Sequence, residues 1–582
     1  MSAATTPSPE PRRLKLYTLL PSMSEAQRFL LLSILIGVSA GLLVVCFHIA
    51  IDFTSWYTLG TPAGEHTFAT LVSPAIGGLL ATFLILRIFR AAQGSGVNQT
   101  KAALYISDGY VPFSTVIGKF LACTISIGTG NSLGPEDPAL QMGSGTASLL
   151  GRLFRLTRDS MRRIAPVGAA AGIAAAFNTP ITAVLFVMEE IIGAWNAGVL
   201  GSIVLAAVSA VVVSRWFLGD QPLFRVPEFD LTHPSELLVH AGIGIIAGLL
   251  AALFIKAIGL IRERMRRMPQ GTNYVAPAIA GFAVGFIGLW LPQVMGAGYE
   301  AVDSALHNRF SWNVLLLLGI AKVAATLLCF SAGTPGGMFA PTLFSGAMLG
   351  GGIGALAQLY WPFPVSAPSA YVLVGMGTFF AGVFRAPLTS IFMIFEVSAS
   401  YVIILPAMVS NILAYLISRS LQPVPFFTMI ARHEGLDLPS VEEQREQRTL
   451  LVEDAMQPSP ALVFPTEPLL AAALEQARKL DQPGVAVRSD GRWHWVSREE
   501  LEQNADIAPS GLTLLQAVRA KPLPVLYRDL PLDEAMRRFG ANPLLPVVSR
   551  ANPENLIAIL TLSDVHKAYG ISVPVESHGV ID

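Results

Sequence analysis

Four polar stretches carry the chemistry of an otherwise apolar chain. The first, Gly134-Pro135-Glu136-Asp137-Pro138, sets two adjacent carboxylates ahead of an uncharged run of small residues, ALQMGSGTASLLG. Pro138 suits the first helical position, where its missing N–H costs nothing. Glu136 then stands just before a helix N-terminus, whose free N–H groups favour negative charge. A carboxylate there fills an anion site made of backbone amides, and protonation releases it. The plainer reading is a carboxylate capping an ordinary helix at a lipid interface.

Two more loops, Gly94-Ser95-Gly96-Val97-Asn98 and Gly336-Gly337-Met338-Phe339-Ala340-Pro341, also lead toward helix starts, by Asn98 as a cap and by proline. Three helix N-termini aimed at one point can bind a dehydrated anion through N–H groups and a hydroxyl, without a full buried counter-charge. Taken singly, such a loop is equally a packing device between membrane helices. The fourth stretch is Glu189-Glu190, closing an apolar run. An ionisable residue in a membrane helix marks function by default, against the plainer reading of a carboxylate that reaches interfacial water.

The elements that must position these residues are membrane helices. The 582 residues are 52% hydrophobic and 14% charged, with 51 Gly and 40 Pro, and the mean hydropathy is +0.55. Such a composition is that of a polytopic helical membrane protein, with length to spare for a soluble domain. A net charge of −1 gives no reason to expect nucleic acid as a partner. Cys46, Cys123 and Cys329 lie far apart in apolar runs, so neither a disulfide framework nor a zinc site is expected. The start, MSAATTPSPEPRRLK, reads as a disordered tail and not as a signal peptide.

Residues 28–53 and 70–90 are long enough to span a bilayer; the apolar runs then shorten until one near 236–262. Helices too short for a hydrocarbon core of about 30 Å are tolerated only where they line a site inside the protein. Basic residues cluster in Arg12–Lys15, Arg152–Arg163, Lys256–Arg267 and Arg419–Arg432, while 54–69 and 220–235 are poor in them. The positive-inside rule then places both termini in the cytoplasm.

An internal repeat organises the chain. Gly168–Glu190 aligns with Gly375–Val397, pairing Phe177 with Phe384, Pro180 with Pro387, Thr182 with Thr389 and Glu189 with Glu396, all at one offset (387 − 180 = 207). Pro138 matches Pro341 at an offset of 203 (341 − 138), so a short indel separates the blocks. Two halves with interrupted helices are the pattern of repeat-built transporters, whose sites lie near the midplane between the halves. From about 434 the composition turns polar, and 450–570 holds two similar units, each reading strand, helix, strand, turn, strand, short helix.

With these loops in order, and with AAAFNTPITAVLFVMEE and FRAPLTSIFMIFEV matching two further signatures, residues 27–430 resemble the CLC family of chloride channels and chloride/proton exchangers. The resemblance implies an all-α polytopic membrane domain, 27–433, of two inverted repeats (27–218 and 236–430) with broken helices. It also implies a homodimer with one anion pathway per subunit, in the cell inner (plasma) membrane. By the same resemblance Ser95, Gly96, Met338, Phe339 and Phe427 bind the anion. Glu136 is the gate that competes with the anion and carries the proton at the outer end, and Glu190 admits protons from inside.

Three departures from the family's pattern stand out. Pro135 and Asp137 replace the usual Arg and Gly around the gate, and Asn98 replaces a proline, serving as a substitute cap. Phe427 replaces a tyrosine, removing one O–H donor. After a tail (1–26) and a linker (434–449), the C-terminal region 450–570 resembles a cytoplasmic α/β tandem of CBS domains, ahead of a tail at 571–582. In that fold Thr561 and Asp564 can hold the ribose of an adenine nucleotide; Ser497 with Glu500 fits less well, and the plainer reading is a structural pair without ligand.

The expected function is therefore chloride/proton antiport, with chloride as substrate, lipid as surroundings and no cofactor required. A passive chloride channel is the nearest alternative. A membrane-embedded hydrolase lacks an HExxH-type spacing, and His48 and His240 stand alone in apolar runs. A purely sensory membrane protein leaves the three loops unexplained.

Overall fold

The computed structural model describes residues 25–568, apart from 61–67, 194–196, 220–222, 225, 228–231, 270, 437, 439–449 and short stretches between 459 and 554. The expected tail at 571–582, residues 1–24 of the N-terminal tail and most of the linker lie outside the described residues. Two compact units result, divided between Gln444 and Arg445.

The first unit is helical. Its first half runs α1 (Glu25–Leu59), α2 (Phe68–Phe83), α3 (Gly96–Tyr105), α4 (Phe113–Gly128), α5 (Glu136–Leu153), α6 (Arg158–Phe177), α7 (Pro180–Phe186) and α8 (Ala197–Leu218). The second half repeats the order as α9 (Glu236–Arg266), α10 (Thr272–Gly288), α11 (Tyr299–Leu306), α12 (Trp312–Ser331), α13 (Phe339–Tyr360), α14 (Pro368–Phe384), α15 (Pro387–Ser398) and α16 (Ile404–Leu421). A short α17 (Phe426–His433) follows. Among the described residues seven helices are long and apolar enough to cross a membrane.

Burial separates the helices by role. Along α1, Leu32, Ile36, Ala40 and Val44 are buried while Leu31, Leu35, Leu42 and Ile49 are exposed. A helix apolar on both faces is stable only where its outer face meets lipid. By contrast α5, α13 and α14 are buried over most of their length. Their small residues explain this. A Cβ on Gly143 would lie 2.1 Å from the Gly168 carbonyl oxygen, and one on Gly346 2.3 Å from that of Gly375. The pairs α5/α6 and α13/α14 thus pack backbone to backbone, as small-residue faces allow.

The repeat is visible atom by atom. α6 and α14 both end in a left-handed residue, Asn178 at φ 58° and Arg385 at φ 59°, and Pro180 and Pro387 open the next helix. Glu189 accepts hydrogen bonds from Thr389 N–H (2.9 Å) and Oγ1 (2.8 Å), and Glu396 accepts the same pair from Thr182 (2.9 and 2.8 Å). Each half caps the other's helix N-terminus, as a twofold relation requires.

Three sequence expectations are corrected. Gly198–Leu218 is a full-length span, although the runs between 90 and 236 read as short. Its serines do not break it, since Ser209 Oγ bonds back to the Leu205 carbonyl (2.7 Å). Pro138 is not the first residue of α5, which starts two residues earlier at Glu136. Proline fits anywhere in a first turn, because no N–H there has an intrahelical acceptor. Asn98 does not cap α3, which begins at Gly96.

The second unit holds two four-stranded sheets. β2 (Val463–Phe464), β3 (Gly484–Ser489) and β4 (Arg492–Ser497) belong to the first sequence unit, and β6 (Leu526–Tyr527), β7 (Leu544–Val548) and β8 (Leu556–Thr561) to the second. In each, a helix joins a parallel strand pair and a turn joins the next, antiparallel one. β1 (Gln457–Pro458) pairs with β8 at the far end of the region, while β5 (Lys521–Pro522) returns to β4, so the two sheets are interlocked.

Candidate anion and proton site

The glycine loops before α5 and α13 meet as a two-residue antiparallel bridge. Gly134 N–H donates to the Gly337 carbonyl (2.8 Å) and Gly337 N–H to the Gly134 carbonyl (2.7 Å). Two buried helix N-termini are thereby set side by side at the seam of the repeats. Glu136, the first residue of α5, is fully buried there. Its Oε2 accepts the Ala340 N–H of α13 (3.3 Å), and its Oε1 accepts the Tyr299 hydroxyl. Met338 and Phe339 occupy the N-cap and first turn of the same helix, both buried.

Tyr299 opens α11, and the loop before it is fixed by the buried Lys322, which donates to the carbonyls of Val294 (2.9 Å) and Gly296 (2.6 Å). The first half repeats the device: Lys119 donates to the Gly94 carbonyl (2.6 Å) and fixes the loop that presents Ser95. The two lysines share the offset of the prolines (322 − 119 = 203).

The third N-terminus, that of α3, is occupied by Asp137. Its carboxylate accepts the N–H groups of Gly96 (2.9 Å) and Val97 (3.0 Å) and the Ser95 hydroxyl (3.3 Å). Two backbone donors and a hydroxyl are thus satisfied from another helix, so α3 has no need of Asn98 as a cap. Asn98 instead donates to the Phe427 carbonyl (3.0 Å), tying α3 to α17. Ser95 N–H points to Glu434, just past α17 (2.9 Å to Oε1).

Phe427 is buried in an aromatic cluster with Phe384 (ring centroids 5.2 Å apart), Phe186 (6.4 Å) and Phe339 (6.4 Å). Lys101, six residues after Ser95 on α3, lies 5.7 Å from the centre of its ring and forms a buried ion pair with Glu190. Glu190 sits in a π-helical stretch, Val187–Ile192, that follows α7. One wider turn there inserts an extra residue into the helical register, a device frequent at functional sites.

The structure brings Ser95, Gly96, Glu136, Met338 and Phe339 to one seam, with Phe427 attached through Asn98 and Glu190 through Lys101. At this seam carboxylates hold the backbone N–H groups of Gly96, Val97 and Ala340. Tyr299, Lys322, Lys101 and Glu434 escape sequence reasoning. The lysine pair alone left a trace, its shared offset in the repeat.

In the second unit, Thr561 and Asp564 cap the helix Leu562–Ala568: Thr561 Oγ1 donates to Asp564 (2.6 Å) and Asp564 N–H to Thr561 Oγ1 (3.2 Å). Ser497 and Glu500 do the same for Arg498–Ala505, Ser497 Oγ donating at 2.8 Å. Both are capping boxes.

Residues 77–419 match the family model described as Voltage gated chloride channel. The chain belongs to the voltage-gated chloride channel family. It is 32% identical over 399 residues to a putative chloride channel protein ClcB-like of Ralstonia nicotianae, covering 66% of this chain and 92% of that protein. It is 29% identical over 432 residues to the H(+)/Cl(−) exchange transporter ClcA of Vibrio cholerae, covering 71% and 91%. Its fold is that of solved CLC proteins. A slow cyanobacterial Cl−/H+ antiporter superposes with TM-score 0.64 at 24% identity, over 72% of this chain and 99% of that one. A eukaryotic CLC transporter does so with TM-score 0.63 at 21% identity, over 92% of this chain and 98% of that one. This family member is thus a multi-pass membrane protein with a separate C-terminal α/β unit.

Proposed function

We propose that the protein exchanges chloride for protons across the membrane. The observation that carries this reading is the buried Glu136 carboxylate at the paired N-termini of α5 and α13, where it holds a donor that chloride would use. Protonation removes its charge and frees the Ala340 N–H, so proton uptake and anion entry are linked. Ser95, Gly96, Met338, Phe339 and Phe427 line the anion path in this reading, and Glu190 relays protons from the opposite side. Exchangers among the relatives support it.

The Lys101–Glu190 ion pair favours a second reading, a passive chloride channel, because it engages the carboxylate in a buried contact between helices and takes it out of a proton path. Flux separates the two. In liposomes containing purified protein, a chloride gradient drives proton uphill in the exchanger and not in the channel. Glu136→Gln keeps chloride flux and abolishes proton coupling; Glu190→Gln abolishes proton movement alone. Chloride-driven proton pumping that survives in Glu136→Gln refutes the gate assignment.

The remaining assignments belong to the same reading. The chain forms a homodimer in the inner membrane with both termini cytoplasmic, as the basic clusters suggest. The membrane domain spans 27–433, and 450–570 forms a CBS tandem after the 434–449 linker. Thr561 and Asp564 bind the ribose of an adenine nucleotide when the cap opens, which titration with ATP tests.

A further inference from the structure

We infer that Glu434 is a second carboxylate gate, set on the far side of the α3 N-terminus from Asp137 along the anion path. The inference rests on the transport reading above. Glu434 Oε1 accepts the Ser95 N–H at 2.9 Å, while Oε2 is buried with no hydrogen-bond partner among the described residues. Gly94, at φ +91°, leaves room for it: a Cβ there would come within 2.8 Å of Oε2.

Glu434 borders a cavity of about 600 Å³ that Arg90, Lys119, Arg262, Arg266 and His433 also line. A concave surface with four basic side chains, Arg90, Lys119, Arg262 and Arg266, and one carboxylate concentrates small anions. An anion drawn into it meets the α3 N-terminus, whose nearest donor Glu434 already holds. Asp137, reaching the same N-terminus from α5, takes Gly96 and Val97. Capping α3 needs one carboxylate. The second keeps an unpartnered oxygen beside cations, an arrangement suited to swinging between Ser95 and the cavity.

The test titrates chloride calorimetrically into the full-length protein in detergent and measures chloride efflux from liposomes. Glu434→Gln keeps an acceptor for Ser95 N–H and removes the charge. We expect chloride to bind about tenfold more tightly, the scale of one charge-assisted hydrogen bond, and efflux to quicken. Damage to the fold produces neither gain. Glu434→Asp withdraws the carboxylate by one methylene and keeps its charge, so its affinity falls between the two, and it stands in should the glutamine variant not fold. A wild type that moves no chloride overturns the transport reading and this inference with it. A wild type that moves chloride, with affinity unchanged or weakened in the variants, overturns this inference alone.

Discussion

Replacing Asp137 by glycine should make the stability of the protein depend on chloride. The Asp137 carboxylate accepts two well-formed bonds, from Gly96 N–H at 2.9 Å and Val97 N–H at 3.0 Å, and a weaker one from the Ser95 hydroxyl at 3.3 Å. Hydrogen bonds to a charged group contribute about 1.5–3 kcal/mol each, so the two backbone bonds are worth about 3–6 kcal/mol. Removing the carboxylate also removes its own burial penalty, several kcal/mol by itself. The net loss in chloride-free buffer should be about 1–3 kcal/mol. Chloride can then take the freed donors, and at a hundred times its dissociation constant it returns about 2.7 kcal/mol. Thermal unfolding of the detergent-solubilised protein, in chloride and in a large organic anion such as isethionate, measures this. Asp137→Gly should unfold earlier than wild type without chloride and nearly with it when chloride saturates. A chloride-induced shift no larger than that of wild type refutes the idea that Asp137 and the anion share donors.

The reciprocal caps predict matched effects: Glu189→Gln and Glu396→Gln should each lower stability by about 2 kcal/mol, by losing charge-assisted bonds to Thr389 and Thr182, and neither should change the proton-to-chloride ratio. Unequal unfolding shifts, or lost coupling in Glu189→Gln, contradict the twofold capping scheme. Phe427→Tyr, which restores a hydroxyl beside Phe339 and Phe384, should tighten chloride binding by up to about tenfold in calorimetric titration. Unchanged affinity means that this ring edge faces its aromatic neighbours and not the anion.

The membrane architecture was legible because bilayer physics writes it locally. Long apolar runs, glycine-rich breaks and a proline at fixed distance from a glutamate recur in both halves, so each motif could be read twice. The pairing of Glu189 with Glu396 was visible as an offset, and its meaning, each carboxylate capping the other half's helix, followed only once the halves were packed. The span at Gly198–Leu218 was missed because the runs between 90 and 236 read as short, whereas its polar residues leave the helix intact, Ser209 bonding back to its own helix.

The site divides in the same way. The sequence by itself determined that the three loops lead into helix starts, since glycine, proline and acidic types in short order dictate loop and N-terminus, though each helix begins about two residues earlier than its proline or asparagine suggested. It put Glu136, Ser95 and Phe339 in the loops that lead to those starts without any knowledge of their neighbours. Only the tertiary structure decided which charge meets which donor. Asp137 reaches α3 across 41 residues, Glu190 meets Lys101 across 89, and Glu434 meets Ser95 across 339. Backbone N–H groups are the same at every helix start and carry no residue-specific signature. Which carboxylate satisfies them is settled by packing, because a buried donor takes whatever acceptor the fold brings within reach.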